Sequence, residues 1–356
     1  MENELVTPEF IAGNIKKFSK FIAGLDENDK VALIIDEDPD GLTAGKMADE
    51  AINSDKIIFL DHIGLNKELA EKLRDEGITK IITVDLSIND EEFIKTTEEY
   101  AENLLIDHHQ MSNDWNSERT TYINAQGFCT AYISYYLFSI IKDLEEYDWL
   151  VAIASAADYQ HLKNELWMRK VYEKYGEEYS TDANKLSKTG KFGEIIRTLV
   201  GAIIYARKER NLPEIFKNIN KKQETINKLK IYADKVQEEV DGIIRNFEKE
   251  KEEINGRYYY ETKIHYPIKS LISTIASEKE REKTLILRVK NNEDKGLTKI
   301  SLRNQEGRED MNLLAKKLTQ GIPRAGGGGH KKASGAYYPE EYHEEILKRI
   351  KELESL

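Results

Sequence analysis

The first third of the chain alternates short apolar runs with amphipathic segments. Apolar runs of strand length occupy residues 31–35, 56–60, 80–84 and 103–106. Helical patterns separate them at residues 42–52, 66–74 and 90–100, with Asn66 as a predicted N-cap and Gly77 as a stop signal. Uninterrupted apolar strands separated by helices are typical of a parallel sheet that is covered on both faces. The pattern therefore predicts an α/β domain.

The rest of the chain changes character twice. Helical patterns follow at residues 130–141 and 149–157, and we interpret the charged stretch 173–191 as a surface segment. Apolar residues then recur at steps of three and four, at Ile226, Leu229, Ala233, Val236, Val240, Ile243 and Phe247. That spacing predicts a long amphipathic helix. Beyond residue 255 the pattern predicts strands at 258–266, 284–289 and 299–302, a helix at 310–318 and a charged helix within 340–356.

These elements predict the fold class and the domain organisation. We expect an α/β protein with a parallel-sheet domain at residues 1–190 and a helical connector at residues 191–254. A smaller mixed α/β domain, ending in a helix, is expected at residues 255–356. A chain of 356 residues is long enough for this division.

The composition limits the classes of function. A net charge of −12 argues against a protein that coats duplex DNA, although residues 286–339 hold 11 Lys and Arg against 5 Asp and Glu. The single cysteine, Cys129, excludes an internal disulfide and suits a reducing cytoplasm. The start of the chain shows no secretion signal, and no apolar stretch is long enough to span a bilayer. We therefore predict a cytoplasmic protein with no membrane partner.

Four acidic motifs follow apolar segments. They are Asp36, Asp38 and Asp40 after the first strand, Asp85 after the third, Asp107-His108-His109 after the fourth, and Asp158 after an apolar helix. Ligands of parallel sheets gather at the carboxyl ends of the strands. Carboxylates and imidazoles bind Mn, Mg or Zn, and two such ions about 3.5–4 Å apart clamp a phosphoryl centre. The four motifs therefore predict a two-metal site, and Asp61-His62 is a further candidate for a metal or substrate contact.

A second candidate site lies near the end of the chain. Four glycines at residues 326–329 precede His330, Lys331 and Lys332, and small residues that we interpret as a helix start. Glycines let backbone amides approach an anion, and a helix N-terminus favours negative charge. We favour a phosphate or nucleotide cradle here, and the alternative is a plain linker.

Together these segments resemble the DHH phosphoesterase superfamily and its accessory DHHA1 domain. The DHH resemblance rests on the run 36–41, Asp85, Asp107-His108-His109 and Asp158, supported by Asn124 and Cys129-Thr130-Ala131. The DHHA1 resemblance rests on Ser301-Leu302-Arg303-Asn304, Asn312, Gly327-Gly328-Gly329-His330 and Ala333-Ser334-Gly335. Among members the chain is most similar to archaeal RecJ-like nucleases. It departs from many members in having Ile34 where they place a ligating histidine, and Asp36 where RecJ-like members often have histidine.

The resemblance implies residue roles. Two divalent ions, usually manganese with magnesium as second choice, would share Asp85. Asp36 and Asp38 would complete the shell of one ion, while the other would be bound by Asp40, His108 and Asp158. Asp107 would orient a histidine, and His109 would face the substrate phosphate, so that Asp85, Asp107 and His109 form the catalytic group. Another phosphate, or the terminal nucleotide, would be bound by Arg303, Gly327, Gly328, Gly329 and His330.

The predicted function is therefore a manganese-dependent phosphodiesterase, a RecJ-like exonuclease on single-stranded DNA or RNA, with a role in DNA repair. A cleft between the two domains would admit one strand end. One alternative has the same site but shorter substrates, as a nanoRNase or a cyclic-dinucleotide phosphodiesterase. The other is a replication scaffold, because some archaeal relatives bind the GINS complex and the eukaryotic helicase cofactor of the superfamily has lost activity. The implied partners are single-stranded nucleic acid or short oligonucleotides, and GINS is a further candidate.

Overall fold

A computed structural model of the chain describes residues 5–61, 64–220, 223–290 and 296–353. The chain divides into two compact units, Met1–Ala233 and Asp234–Leu356. Each unit has its own sheet and its own hydrophobic core. Within the described residues, no helix has both the length and the apolar character needed to cross a membrane.

The first unit is built on a parallel sheet. Its described strands are β1 (Val31–Asp36), β2 (Lys56–Leu60), β3 (Lys80–Val84), β4 (Glu102–Asp107) and β5 (Thr120–Asn124). They lie in the order β2-β1-β3-β4-β5, and every neighbouring pair is parallel. The predicted parallel α/β fold is confirmed, and β5 is an additional strand that the sequence analysis did not predict.

Both faces of this sheet are buried. Leu33 and Ile35 of β1 belong to one apolar core, while Ala32 and Ile34 belong to another. Because side chains alternate between the two faces of a strand, burial of both faces requires an uninterrupted apolar run. That requirement explains why the four predicted strands could be read from the sequence.

Ten α-helices are described in this unit, some on the sheet and others packed on those helices. They are α1 (Ile15–Ala23), α2 (Pro39–Ile52), α3 (Lys67–Asp75), α4 (Glu91–Glu98), α5 (Thr130–Phe138), α6 (Asp148–Ala157), α7 (Glu165–Lys174), α8 (Ala183–Lys188), α9 (Gly190–Glu209) and α10 (Leu212–Asn218). Asn66 caps α3 as predicted, because its side chain accepts a hydrogen bond from the Leu69 amide at 3.0 Å. The interpretation of residues 173–191 as a surface segment is wrong in part, since α8 buries Ala183 and Leu186.

The predicted long amphipathic helix exists but starts later. A 3₁₀ segment, Gln223–Leu229, precedes α11 (Lys230–Glu250), and the boundary between the two units falls within α11. All seven apolar residues of the predicted stripe are buried. The stripe therefore marks a packed face, as its spacing indicated.

The second unit contains a mixed sheet. Its described strands are β6 (Glu252–Ile254), β7 (Arg257–Thr262), β8 (Thr284–Val289), β9 (Leu297–Arg303), β10 (Gly326–His330) and β11 (Ala333–Pro339). Their order is β10-β11-β9-β8-β7-β6, and only the β7–β8 pair is parallel among them. Besides the larger part of α11, the described α-helices of this unit are α12 (Lys269–Lys279), α13 (Met311–Thr319) and α14 (His343–Glu352). The predicted mixed α/β character is confirmed.

The glycine run has a different structure from the one predicted. It forms β10, which pairs with β11 in antiparallel register from Gly326–Tyr337 to His330–Ala333. The small residues after the run therefore belong to a strand, and the predicted helix start is wrong. Glycine disfavours strands in isolation, but pairing with a neighbouring strand overrides that weak preference.

Candidate active site

Three of the predicted carboxylates meet at the carboxyl edge of the parallel sheet. Asp36 and Asp107 end β1 and β4, and Asp85 directly follows β3. Their relative exposures are only 3%, 2% and 1% in the order Asp36, Asp107 and Asp85. Buried carboxylates at one edge of a parallel sheet are costly unless a cation or hydrogen bonds compensate them.

The start of α2 adds two more carboxylates. Asp38 is the N-cap and accepts a hydrogen bond from the Gly41 amide at 2.9 Å. Asp40, in the first turn, is buried and accepts hydrogen bonds from the Thr130 and Ala131 amides at 2.8 and 2.7 Å. A helix N-terminus favours negative charge. The segment from Asp36 to Gly41 therefore carries the chain from the end of a strand into a helix while presenting three carboxylates.

Gly41 is required for this close packing. A Cβ atom there would lie 2.5 Å from the Asp36 carbonyl oxygen and 2.8 Å from the Asp36 Cβ. We expect Gly41→Ala to lower the free energy of unfolding by about 1–3 kcal/mol, as overpacking does, and to weaken Mn²⁺ binding. Thermal melts and calorimetric Mn²⁺ titrations check this. Gly242→Ala in α11 is the control, because its nearest neighbour would be 3.9 Å away and stability should rise slightly. Equal Mn²⁺ affinity in wild type and Gly41→Ala would contradict the expectation.

Thr130, the first residue of α5, forms hydrogen bonds with two carboxylates of the site. Its hydroxyl donates to Asp85 Oδ1 at 2.8 Å while its amide donates to Asp40. Asp85 has a φ of +64°, a left-handed conformation that is uncommon outside glycine. No role was predicted for Thr130, because a residue 90 positions from Asp40 in the sequence offers no local signal.

The two histidines are held from the end of β4. Asp107 Oδ1 accepts from the His108 amide at 2.9 Å and lies 2.7 Å from His109 Nδ1. The Asn124 side chain at the end of β5 donates to the His109 carbonyl at 3.0 Å. The His109 ring is 36% exposed, whereas the His108 ring is only 10% exposed. His109 is thus oriented by Asp107 and accessible from solvent.

His108 lies among three carboxylates. Its Nε2 atom is 3.4 Å from Asp85 Oδ1 and 3.9 Å from Asp40 Oδ2, and its Nδ1 atom is 3.7 Å from Asp158 Oδ2. Asp158 follows α6 directly, and its buried Oδ2 atom has no hydrogen-bond partner among the described residues. An unsatisfied buried carboxylate oxygen that faces an imidazole is a feature of a metal ligand set.

Three overlapping groups of side chains place their ligand atoms within 4.8 Å of one another. They are Asp36-Asp38-Asp85, Asp40-His108-Asp158 and Asp85-His108-His109. Carboxylate oxygens with one or two imidazoles suit Mn²⁺, Mg²⁺ or Zn²⁺. The donor set therefore fits divalent cations, and Asp85 occurs in two of the groups.

The electrostatics agree with that fit. Burial, then repulsion from neighbouring carboxylates, raises the pKa of Asp40 and Asp85 well above the usual range. Burial and the charge of Asp38 raise the pKa of Asp158 to about 7. Burial and the neighbouring His109 lower the pKa of His108 to about 4, whereas the contact with Asp107 raises the pKa of His109. Bound divalent cations would offset the repulsion and stabilise the ionised carboxylates.

Two other acidic residues near the predicted site stand apart from these groups. Glu37 forms an ion pair with Arg207, with 3.1 Å between Oε2 and Nε. Asp61 belongs to none of the potential metal-binding groups found in the described part of the chain. His62, the other half of that candidate, lies outside the described residues.

In the second unit, the predicted phosphate-binding residues also come together. Ala333 of β11 pairs with Arg303 on one side and with His330 on the other. Arg303 is half-buried, burial lowers its pKa, and its Nε atom has no hydrogen-bond partner among the described residues. His330 is exposed, and the Gly329 amide donates to Asn312 Oδ1 at 3.3 Å. Gly327 lies close to α13, since a Cβ there would be 2.9 Å from the Ala315 carbonyl oxygen.

Comparison with known families identifies both units. The model of the DHH family, N-terminal domain, matches residues 30–162, and that of the DHHA1 domain matches residues 261–355. The first match includes every candidate metal ligand, and the second includes Arg303 and the glycine strand. A search of curated protein sequences found no significant relative.

Solved structures share the fold at low sequence identity. RecJ from Thermus thermophilus in complex with Mn²⁺ matches with a TM-score of 0.68 and 15% identity over 98% of this chain and 55% of that chain. A manganese-bound exonuclease RecJ gives a TM-score of 0.66 and 16% identity over 98% of this chain and 95% of that one. The pGpG-specific phosphodiesterase PggH from Vibrio gives 0.52 and 13% identity over 90% and 97%. The chain thus spans about half the length of the Thermus protein.

Proposed function

Because the chain belongs to the DHH/DHHA1 phosphoesterase superfamily, we propose that it is a manganese-dependent phosphodiesterase acting as a RecJ-like exonuclease on single-stranded DNA or RNA. Family membership also confirms the prediction of a hydrolytic enzyme. The observation that carries the proposal is the convergence of five aspartates and His108 from distant parts of the sequence on one sheet edge. Arg303 and His330 in the second unit support a substrate that carries more than one phosphate.

The proposed metal ligands follow the geometric groups. Asp36, Asp38 and Asp85 would hold one ion, with Asp85 shared, and the other ion would be held by Asp40, His108 and Asp158. Such a pair supplies a nucleophilic water at neutral pH and neutralises charge on the phosphoryl oxygens. Manganese is the proposed ion and magnesium the second candidate, since carboxylates and imidazole suit both.

The chain's own side chains would bind and orient the substrate. His109 is held by Asp107, and that contact raises its pKa, which favours the protonated imidazole as a donor to a phosphate oxygen. Arg303 offers a planar fork that suits bidentate phosphate binding. The net charge of −12 favours a single strand that contacts these few cations over a duplex that would wrap the surface.

Digestion of end-labelled single strands tests the proposal. DNA and RNA strands labelled at either end are incubated with Mn²⁺ or Mg²⁺, and products are sized over time. An exonuclease releases labelled mononucleotides from one label position at once and a shortening ladder from the other. No metal-dependent hydrolysis of either strand would overturn the proposal.

A shorter substrate is the second candidate. This chain matches the pGpG-specific phosphodiesterase over 97% of that protein's length. A protein of similar length and fold therefore carries a name that specifies a dinucleotide substrate. Rates on dinucleotides, cyclic dinucleotides and strands of about 20 nucleotides would separate the two functions.

The predicted domain limits, the cytoplasmic location, the repair role and the GINS partner stay predictions. The complete ligand set favours an active enzyme over a pure scaffold.

We predict that Mn²⁺ affinity rises with pH up to about pH 7 and levels off above it. The carboxyl of Asp158, with a pKa of about 7, must lose its proton before it binds a cation, whereas His108, with a pKa of about 4, is already neutral. Each proton displaced adds a factor of up to about ten per pH unit on the acidic side of the pKa. Calorimetric titrations in buffers of different ionisation enthalpy measure both affinity and proton release. Asp158→Asn should flatten the dependence, and a wild-type affinity that does not change with pH would contradict the assignment.

A further inference from the structure

One face of the sheet in the second unit is only partly covered. Helix α12 packs on β8 and β9, where Ser273 and Ser301 hydroxyls lie 3.1 Å apart and the Gln305 amide donates to Ser277 at 2.8 Å. Gly335 of β11 pairs with Ser301 and so faces the same side. Among the described residues, a Cβ at Gly335 would meet only the Ile300 carbonyl oxygen, at 3.7 Å. The face is therefore open next to α12, over β11.

An exposed aromatic ring lies on this open face. Tyr337, two residues beyond Gly335 and on the same side of β11, is 45% exposed. A Cβ at the neighbouring Gly326 would lie 2.7 Å from its hydroxyl and 2.9 Å from its Cζ. The ring thus rests over β10, and it can do so because Gly326 has no side chain. A rigid aromatic ring that is packed on one side and open on the other is suited to stacking.

Three cations lie on the same side of the sheet as this ring. Lys299 pairs with Tyr337 across the β9–β11 ladder, and Arg303 follows four residues later on the same face. Lys269 is the first residue of α12, one turn before Ser273, which places it at the same end as Lys299. These three positions bring Lys269, Lys299 and Arg303 to one edge of the open face.

Two of these cations, Lys269 and Arg303, are not neutralised by the described part of the protein. Burial, then the charges of Lys299 and Arg303, lowers the pKa of Lys269. Among the described residues no carboxylate contributes to the pKa shift of either Lys269 or Arg303. The N-cap of α12 is Ile268, which has no polar side-chain atom, so the first amides of the helix also lack a side-chain cap. Half-buried cations that repel one another favour an anionic ligand.

We propose that this face binds one strand of nucleic acid at two phosphates, with a base stacked on Tyr337 beside the first of them. Lys269 and Lys299 would bind one phosphate, and Arg303 with His330 would bind the other. Four residues along a strand span about 13 Å, and this distance separates the two phosphate sites, with the bare backbone of Gly335 midway between them. The inference rests on the proposed function, and it specifies a substrate of at least two nucleotides that is read by stacking and charge without base-specific hydrogen bonds.

Binding measurements without turnover test this. Calorimetry in EDTA compares oligothymidylates of two and four nucleotides with inorganic tripolyphosphate. We expect Tyr337→Leu to weaken tetranucleotide binding about tenfold, as loss of a stacked base does, and Tyr337→Phe to bind like wild type. The double variant Lys269→Gln/Lys299→Gln should weaken both the tetranucleotide and tripolyphosphate. Tripolyphosphate has no base, so Tyr337→Leu should leave its binding unchanged. Lys279→Gln, at the other end of α12, is the matched control.

The salt dependence gives a second readout. Each lost phosphate contact lowers the slope of log affinity against log salt by about 0.7 for a single strand, so the lysine variant should show a shallower slope and Tyr337→Leu should not. The inference is overturned if wild type fails to bind the tetranucleotide, or if both variants bind it like Lys279→Gln. If the wild type binds strands but does not hydrolyse them with Mn²⁺, the proposed function is overturned, but the proposal that this face binds a strand is retained.

Discussion

Replacing Asp85 by asparagine is expected to abolish hydrolysis while leaving the protein folded. Asp85 Oδ1 lies 3.4 Å from His108 Nε2, and the carboxylate belongs to two of the three ligand groups. Asparagine keeps the shape and tolerates the left-handed backbone at this position, but it removes the charge that both proposed ions would share. We expect a loss greater than the roughly 10–100-fold that follows removal of a group behind a ligand. Hydrolysis of labelled single strands at saturating Mn²⁺ measures it.

The thermal stability of Asp85→Asn without metal distinguishes an effect on catalysis from an effect on folding. A carboxyl group whose pKa is raised by folding destabilises the fold at any pH above about 4, its unfolded value, because ionisation is harder in the folded state. The pKa of Asp85 is raised by burial and by four neighbouring carboxylates. Asp85→Asn should therefore melt at a higher temperature than wild type in EDTA at pH 7, and gain less from Mn²⁺. Asp75→Asn, exposed at the end of α3, is the control. Turnover comparable to wild type would refute the two-metal assignment.

The sheet of the first unit was predictable because a strand that is buried on both faces appears in the sequence as an uninterrupted apolar run. The strands at 56–60 and 80–84 have the predicted limits, whereas β1 extends one residue further at its end and β4 extends one residue further at both ends. β5 was missed, although its residues Thr120, Thr121, Tyr122 and Ile123 favour strands. Its polar threonines interrupt the continuous apolar pattern on which the other predictions relied.

The carboxylates of the site were predictable for a related reason. Parallel strands end at one edge, so an acidic residue after each strand converges with the others without any further information. The hydrogen bonds that fix them were not predictable. Thr130 contacts Asp40 and Asp85 across 90 and 45 residues, and such contacts depend on how α5 packs beside α2. Recognition of Lys269 and Tyr337 likewise required the strand register, because α12 was not predicted and the prediction for the glycine run was a phosphate cradle before a helix, not a strand.

Arg303→Ala is expected to weaken oligonucleotide binding by about 1.5–3 kcal/mol, the usual contribution of a hydrogen bond to a charged group, or roughly 10- to 150-fold. The guanidinium is half-buried, its Nε has no hydrogen-bond partner in the described residues, and it shares a row of the sheet with His330. Mn²⁺ affinity should hardly change, since the proposed ligands all lie in the first unit. Arg303→Lys should recover only part of the loss, because an ammonium group cannot bind phosphate in a bidentate manner.

The choice of substrate decides what such a loss means. Strand hydrolysis should fall through a higher KM, while an activated mononucleotide ester, too short to need a second phosphate contact, should be affected far less. Arg308→Ala is the matched control, since Arg308 is exposed and paired with Glu282 and Glu306 at 2.9 and 2.8 Å. Equal losses on both substrates would assign Arg303 to the fold or to the metal site. A loss confined to strands, with Mn²⁺ affinity intact, would assign it to the phosphate, and the strand-end proposal depends on that result.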